Sequence, residues 1–471
     1  MRDRVPAVLE AVDAGMALSI ERLIAWLRIP SVSAVAEHAE DCGRAADWIA
    51  SMARDIGFDA DVRPTSGLPI VVGRARSLGA PKALFYGHYD VQPADPLSEW
   101  LSPPFAPDIR AFEGGRLAIF ARGASDDKGQ VMTFIEACRA WRTVTGQLPI
   151  DVTIIIEGEE EVGSPNLSPF LTANIAEFEA DFALICDNDM AAPQVPAITT
   201  SLRGLVHDEL TITCARCDLH SGVYGNAARN PLHVMSGIIA ALHDDSGGIA
   251  IPGFYDGVLM DSPCETQSDA ALELTAENFL YPVGLSVSAG EKGYSILRQT
   301  TERPSLDVNG LWGGYCGDGA KTIIPSQAHA KVSMRLVAGQ EPDAARGAFR
   351  AFVRARLPAD CSVSFAAVGK GTPALVLKSD TPLVKTVKAA LAEEWGSEAA
   401  LIATGGSIPA ASDFARLGLP VVMTGFSLAE DGQHSPNEKY DLQSFHRGIR
   451  SWVRVLAALS DNSSLQRQGP R

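Results

Sequence analysis

No run of apolar residues in this chain approaches the roughly 18–20 that a membrane-spanning helix needs, which excludes a helical membrane protein. Positive charge is in deficit. Lys and Arg number 40 against 57 Asp and Glu, a net charge of −17. Such a field repels phosphate backbones and anionic lipid, so neither a nucleic-acid nor a membrane partner is expected. Cysteine is sparse and unpatterned: eight residues at 42, 138, 186, 214, 217, 264, 316 and 361. That excludes a disulfide scaffold and leads us to expect buried thiols in a reducing compartment. The first fifteen residues carry both charge signs and no apolar core, so no signal peptide is expected and the protein reads as cytoplasmic. Internal repeats, low-complexity tracts and long linkers are also lacking.

What remains is an ordinary globular composition, 46% apolar and 21% charged. The 471 residues exceed what one hydrophobic core supports and imply two or three domains. Two kinds of strand pattern separate along the chain. Ala83–Tyr86, Val152–Ile156, Phe182–Cys186 and Pro420–Phe426 are short continuous apolar runs, which suit strands buried on both faces of a parallel sheet. Amphipathic helices are expected over Gly129–Thr143, Thr381–Trp395 and Ser444–Leu459. In the middle of the chain, Ala328–Val337 alternates strictly and Val206–Cys214 less cleanly, as in an antiparallel sheet with one open face. Helical patterns at Pro231–His243 and Asp343–Leu357 accompany them. The fold class that follows is α/β: a mixed, mostly parallel sheet flanked by helices, built from residues 1–204 and 376–471. A smaller α+β domain is inserted over 205–375.

Three of the continuous runs end in histidine or carboxylate residues. Ala83–Tyr86 leads into Gly87-His88-Tyr89-Asp90, Val152–Ile156 into Glu157-Gly158-Glu159-Glu160-Glu161, and Phe182–Cys186 into Asp187. Ligand sites in open α/β sheets lie at the carboxyl ends of strands, so a divalent-metal site is the natural hypothesis. Taken singly, each element has a plainer reading. His88-x-Asp90 can be a surface turn and the Glu-rich stretch a solvated loop. Asp187, or the Asp126-Asp127 turn, can cap a helix.

Tyr86-Gly87-His88-Tyr89-Asp90-Val91-Gln92-Pro93, Arg122-Gly123-Ala124-Ser125-Asp126-Asp127-Lys128-Gly129, Glu157-Gly158-Glu159-Glu160-Glu161-Val162-Gly163-Ser164, Asp187 and His434-Ser435-Pro436-Asn437-Glu438 occur in this order. Together they resemble the metal motifs of the M20 metallopeptidases, and the similarity runs from about residue 15 to 460. The resemblance implies a catalytic domain with an inserted lid and dimerisation domain. It also implies two divalent ions per subunit, zinc first, with manganese or cobalt as alternatives for such nitrogen and oxygen donors. His88 and Asp187 would bind one ion and Glu161 and His434 the other. Asp126 would bridge both, through a cis peptide to Asp127. Asp90 would orient the His88 imidazole. Glu160 would be the general base, taking a proton from water and returning it to the leaving amine.

Asp218-Leu219-His220-Ser221-Gly222 resembles the lid motif of the dipeptidase and carnosinase-like branch. There the histidine at His220 would stabilise the oxyanion from the partner subunit of a homodimer. By the same resemblance Arg335 would clamp a substrate carboxylate, and Ser407, within Gly405-Gly406-Ser407-Ile408-Pro409, would contact substrate. Without the resemblance, His220 reads as a surface or core histidine and Arg335 as a solvated arginine. Cys214-x-x-Cys217 lacks the second pair of a structural zinc site. The expected function is metal-dependent hydrolysis of dipeptides or similar small peptides. An N-acyl-amino-acid deacylase and an inactive metal-binding scaffold are the alternatives.

Overall fold

A computed structural model describes residues 1–77, 80–259, 274–462 and 465. The chain divides into two compact units. The first comprises Met1–Thr200, Leu377–Ile402 and Ile408–Arg471, and the second Ser201–Val376 with Ala403–Ser407.

The first unit is organised by a mixed sheet. Its strands lie in the spatial order Asp59–Arg63, Ile70–Ala75, Asp151–Glu157, Lys82–His88, Phe182–Cys186, Val421–Gly425 and Ala197–Leu202. The four continuous apolar runs are the four adjacent parallel strands at its centre. Their burial on both faces explains why they lack alternation. Val5–Leu27, Lys128–Thr145, Pro382–Trp395 and Leu442–Ser460 pack as helices around this sheet. Phe85 on the Lys82–His88 strand stacks on Phe134 at 3.7 Å, and Trp452 meets both rings edge-on. Local chemistry starts these helices where the sequence places them. Thr381 and Asp441 accept backbone N–H groups as caps, and Pro382 sits in a first turn where its missing N–H costs nothing. Gly87 permits the close approach that the site requires, since a Cβ there would lie 2.4 Å from Val131 Cγ2.

The second unit holds a four-stranded antiparallel sheet in the order Ser305–Gly313, Gln327–Leu336, Gly204–Thr213 and Ser362–Thr372. Helices Pro231–Ala240 and Pro342–Arg356 pack against it. Ala328, Ala330, Val332, Met334 and Leu336 are buried, as the alternation requires. Gly204–Thr213 alternates equally well in burial. Its sequence reads less cleanly because Asp208 holds an inward position, where its buried carboxylate pairs with Arg350 through two 2.7 Å bonds.

The cysteines depart from expectation. Cys42, Cys138 and Cys186 are buried, but Cys214 and Cys361 are half-buried and Cys217 and Cys316 exposed; Cys264 lies outside the described residues. Strand register explains the half-buried pair. Ser362 faces Thr213 at the end of the sheet, so the next residues outward, Cys361 and Cys214, also face each other, with Sγ atoms 2.6 Å apart. Cys214 therefore partners Cys361 rather than Cys217. Among the described residues, no helix is long and apolar enough to cross a membrane.

Candidate metal centre

The carboxyl ends of three central strands and two loops of the first unit bring five side chains together. His88 ends one strand, Asp187 immediately follows another, and Glu161 follows the Asp151–Glu157 strand by four residues. Asp126 precedes the Lys128–Thr145 helix, and His434 sits in a loop with φ +61°. His88, Asp126 and Asp187 offer ligand atoms within 4.8 Å of one another, and so do Asp126, Glu161 and His434. The shared residue has the geometry of a bridge. Asp126 Oδ1 lies 3.1 Å from His88 Nε2, while Oδ2 lies 2.9 Å from His434 Nε2. His434 Nε2 is also 3.3 Å from Glu161 Oε2. The Asp126–Asp127 peptide is cis.

Supporting contacts fix these groups. His88 Nδ1 faces the Asp90 carbonyl at 3.0 Å and its carboxylate at 3.3 Å, so Nδ1 donates and Nε2 is left free to ligate. The fully buried Asp90 also accepts from the backbone N–H groups of Glu160 (3.2 Å) and Glu161 (3.1 Å). One carboxylate thus aims a histidine and orders the Glu-rich loop. The plainer reading of that loop as solvated fails for Glu160 and Glu161, both partly buried with backbones anchored in this way. The capping alternatives fail too. Asp127 is at the N-cap position of its helix, but its side chain makes no cap bond and accepts from the His88 N–H at 3.0 Å instead. No helix starts after Asp187. Gln92 Nε2 donates to Glu161 Oε2 at 2.8 Å.

The electrostatics fit a divalent cation. Burial pushes the carboxyls of Glu160, Glu161 and Asp187 up, and neighbouring carboxylates push the same way. Burial also acts to raise Asp126, but hydrogen bonds from His434 and His88 outweigh it and hold that carboxyl well below the usual range. In return, hydrogen bonds to Asp126 and Glu161 raise His434 to about 10. Like charges this close favour any cation that enters among them. A further sign of fit is Glu161 Oε1, a buried acceptor with no hydrogen-bond partner among the described residues. Carboxylate oxygens and imidazole nitrogens without a thiolate suit zinc, manganese or cobalt.

A family profile described as Peptidase family M20/M25/M40 matches residues 84–458, which include all five of these side chains. The chain belongs to this family. Among M20 relatives it is 29% identical to the Cys-Gly metallodipeptidase dug1 of Schizosaccharomyces pombe, over 98% of this chain and 100% of the relative. It is 30% identical to the human Beta-Ala-His dipeptidase, over 78% of this chain and 72% of the relative. The solved structure of the di-peptidase Dug1p from Saccharomyces cerevisiae superposes with a TM-score of 0.86 at 25% identity, covering 98% of this chain and 100% of that one. Human carnosine dipeptidase 1 gives 0.84 at 26% identity, covering 98% and 99%.

The remaining sequence-derived residues lie in the second unit. His220 is exposed on a short bridge of Leu219–His220 with Ile323–Ile324. Its Nδ1 accepts from the Gly222 N–H at 3.0 Å, which leaves Nε2 as the ring's donor. Arg335 is half-buried, and its Nη1 donates to Ser407 Oγ at 3.2 Å. The structure therefore brings Arg335 and Ser407 together. Sequence reasoning missed Arg203, whose Nε donates to the Gly405 carbonyl at 3.2 Å and whose charge bears on Arg335. Among the described residues neither guanidinium has a carboxylate within 4 Å, whereas Arg303 and Arg350 of the same unit are both paired. The sequence offers only one signal for Arg203: a lone cation between the buried run Ala197–Leu202 and Gly204.

Proposed function

We propose that this protein is a metal-dependent dipeptidase that hydrolyses dipeptides or similarly small peptides. The observation that carries the reading is the pair of ligand groups sharing Asp126, with Glu160 beside them and all within a chain of the M20 family. The relatives named above act on Cys-Gly and β-Ala-His, which supports a dipeptide substrate. In this reading His88 and Asp187 hold one divalent ion, Glu161 and His434 the other, and Asp126 both; zinc is the first choice. When bound, the ions lower the pKa of water and polarise the scissile carbonyl. Glu160 has no ligand role. Its raised carboxyl suits a base that takes the water's proton and delivers it to the leaving nitrogen.

The second unit supplies recognition. Arg335, lacking a carboxylate partner and steadied by Ser407, clamps the substrate's terminal carboxylate in a bidentate fork. His220, with Nε2 as donor, stabilises the oxyanion in the partner subunit of a homodimer. The sheet's outer strand Ser305–Gly313 exposes Val308, Leu311 and Trp312, an edge of the sort that pairing covers. We place the enzyme in the cytoplasm. The test is amino-acid release from a panel of free dipeptides and a matched panel of N-acyl amino acids, before and after chelation and again with zinc or manganese restored. Dipeptide turnover that chelation abolishes and metal restores is expected. Turnover confined to the N-acyl compounds, or unaffected by chelation, would overturn the reading.

A further inference from the structure

Glu438 lies four residues beyond His434 and has no exposed surface. Its carboxylate collects five donors from one short stretch of chain. Oε2 accepts from Arg122 Nη1 at 2.9 Å and from the Gly123 N–H at 2.8 Å. Oε1 accepts from the Ser125 N–H at 2.9 Å, Ser125 Oγ at 3.2 Å and the Asp126 N–H at 3.1 Å. The Glu438 carbonyl adds a bond from the Ala121 N–H at 3.0 Å. A carboxylate has about four lone-pair directions. With five donors on it, this one has none to spare for a metal ion, a substrate or a proton in transit.

Its partners show what it does instead. The segment it grips, 121–126, ends in Asp126, and the segment it belongs to carries His434. Those two side chains meet at 2.9 Å. The loops bearing them are separated by more than three hundred residues, and the strand Lys439–Asp441, paired with Leu117–Phe120, brings their bases side by side. Past that ladder Glu438 replaces strand pairing with its own side chain and ties each residue of the 122–126 turn except Ala124. Arg122, itself buried, neutralises the charge and extends the tie to the Pro93 carbonyl at 3.1 Å, beyond the His88-Tyr89-Asp90 stretch.

We propose that Glu438 is a positioning residue that sets the separation of Asp126 and His434, and thereby the affinity of the metal pair, above all of the ion held by Asp126, Glu161 and His434. The inference rests on the metal-centre reading given above. Neutral glutamine in place of Glu438 keeps the shape but turns an NH2 toward either the Gly123 and Arg122 donors or the Ser125 and Asp126 donors. The turn must then shift, and Asp126 moves with it.

The experiment is calorimetric titration of the metal-free, folded parent, Glu438→Gln and Ser125→Ala with Zn²⁺ and, separately, Mn²⁺, beside thermal unfolding without metal. The parent is expected to bind two ions. Glu438→Gln should bind at least one of the two ions about 10–100-fold less tightly, the usual effect of losing a residue that orients ligands. Ser125→Ala removes a single donor and leaves the carboxylate in place. It should fold as the parent does and weaken the same ion by about 3- to 10-fold, the scale of one ordinary intramolecular hydrogen bond. A merely structural role would lower the metal-free unfolding temperature and leave both affinities of the folded protein unchanged. Affinities within twofold of the parent in Ser125→Ala, and in Glu438→Gln if it folds, overturn the proposal. A parent that binds no divalent ion overturns the metal-centre reading itself.

Discussion

Replacing Asp90 by asparagine changes one charge and almost no volume, at a residue with no exposed surface. The carboxylate accepts from two backbone N–H groups, of Glu160 at 3.2 Å and Glu161 at 3.1 Å, and faces His88 Nδ1 at 3.3 Å. Asparagine has one acceptor oxygen. It can serve one of the two N–H groups and must turn its own NH2 toward the other. Losing the charge on the first bond and stranding the second donor costs about 3 kcal/mol in sum, by the usual scale for buried hydrogen bonds. Little of this can escape into solvent, because the groups involved are inside. It falls on the orientation of His88, Glu160 and Glu161 together. Asp90→Asn should therefore weaken divalent-metal binding by about 10–100-fold and depress turnover even when metal is in excess, since Glu160, the base we propose, shifts with its backbone. The assay is metal titration of the chelated protein followed by dipeptide turnover at saturating metal. An Asp90→Asn enzyme with parental metal affinity and parental turnover would refute the reasoning.

Glu160→Gln should cut turnover by at least about 10²-fold, the lower scale of general-base catalysis, with metal content by elemental analysis unchanged. Near-normal turnover removes Glu160 from that role. Arg335→Ala should impair free dipeptides far more than C-terminally amidated ones, and equal losses on both would make Arg335 structural. Mixing inactive Glu160→Gln and His220→Ala under subunit exchange should recover roughly a quarter of parental activity if His220 serves the other subunit of a twofold dimer. No recovery despite verified exchange would place His220 in its own subunit's site.

The parallel core was legible because burial on both faces leaves a written trace, an unbroken apolar run. His88, Glu161 and Asp187 were legible as candidate ligands because they follow the ends of those runs, whereas Asp126 and His434 came from the motif resemblance alone. What escaped reading depends on contacts that no local pattern records. Asp90 could be expected to face His88 two residues away, but not to accept from Glu160 and Glu161 seventy positions downstream. Glu438 closes the quoted His434 motif, yet only the fold shows its carboxylate filled by donors of the Arg122–Asp126 turn. Asp208 blurred an alternating strand because the arginine that neutralises it lies on a distant helix. The half-buried Cys214 and Cys361 meet through strand register, which composition cannot reveal.

The threading of the first unit sets a timetable for how the enzyme is made. The ribosome releases His88, Asp126, Glu161 and Asp187 before it begins the second unit. The Val421–Gly425 strand, which fills the place between Phe182–Cys186 and Ala197–Leu202, arrives only afterwards, followed by His434 and the Leu442–Ser460 helix. The second unit's main segment, Ser201–Val376, is continuous and can fold as it emerges, as domains do during synthesis. The first unit must wait with a gap in its sheet and its second ligand group incomplete. The candidate group of Asp126, Glu161 and His434 is thus completed only after that gap closes, whereas His88, Asp126 and Asp187 are all made before it. A message truncated after the second unit would yield a chain that keeps the candidate group of His88, Asp126 and Asp187 but lacks His434 from the other.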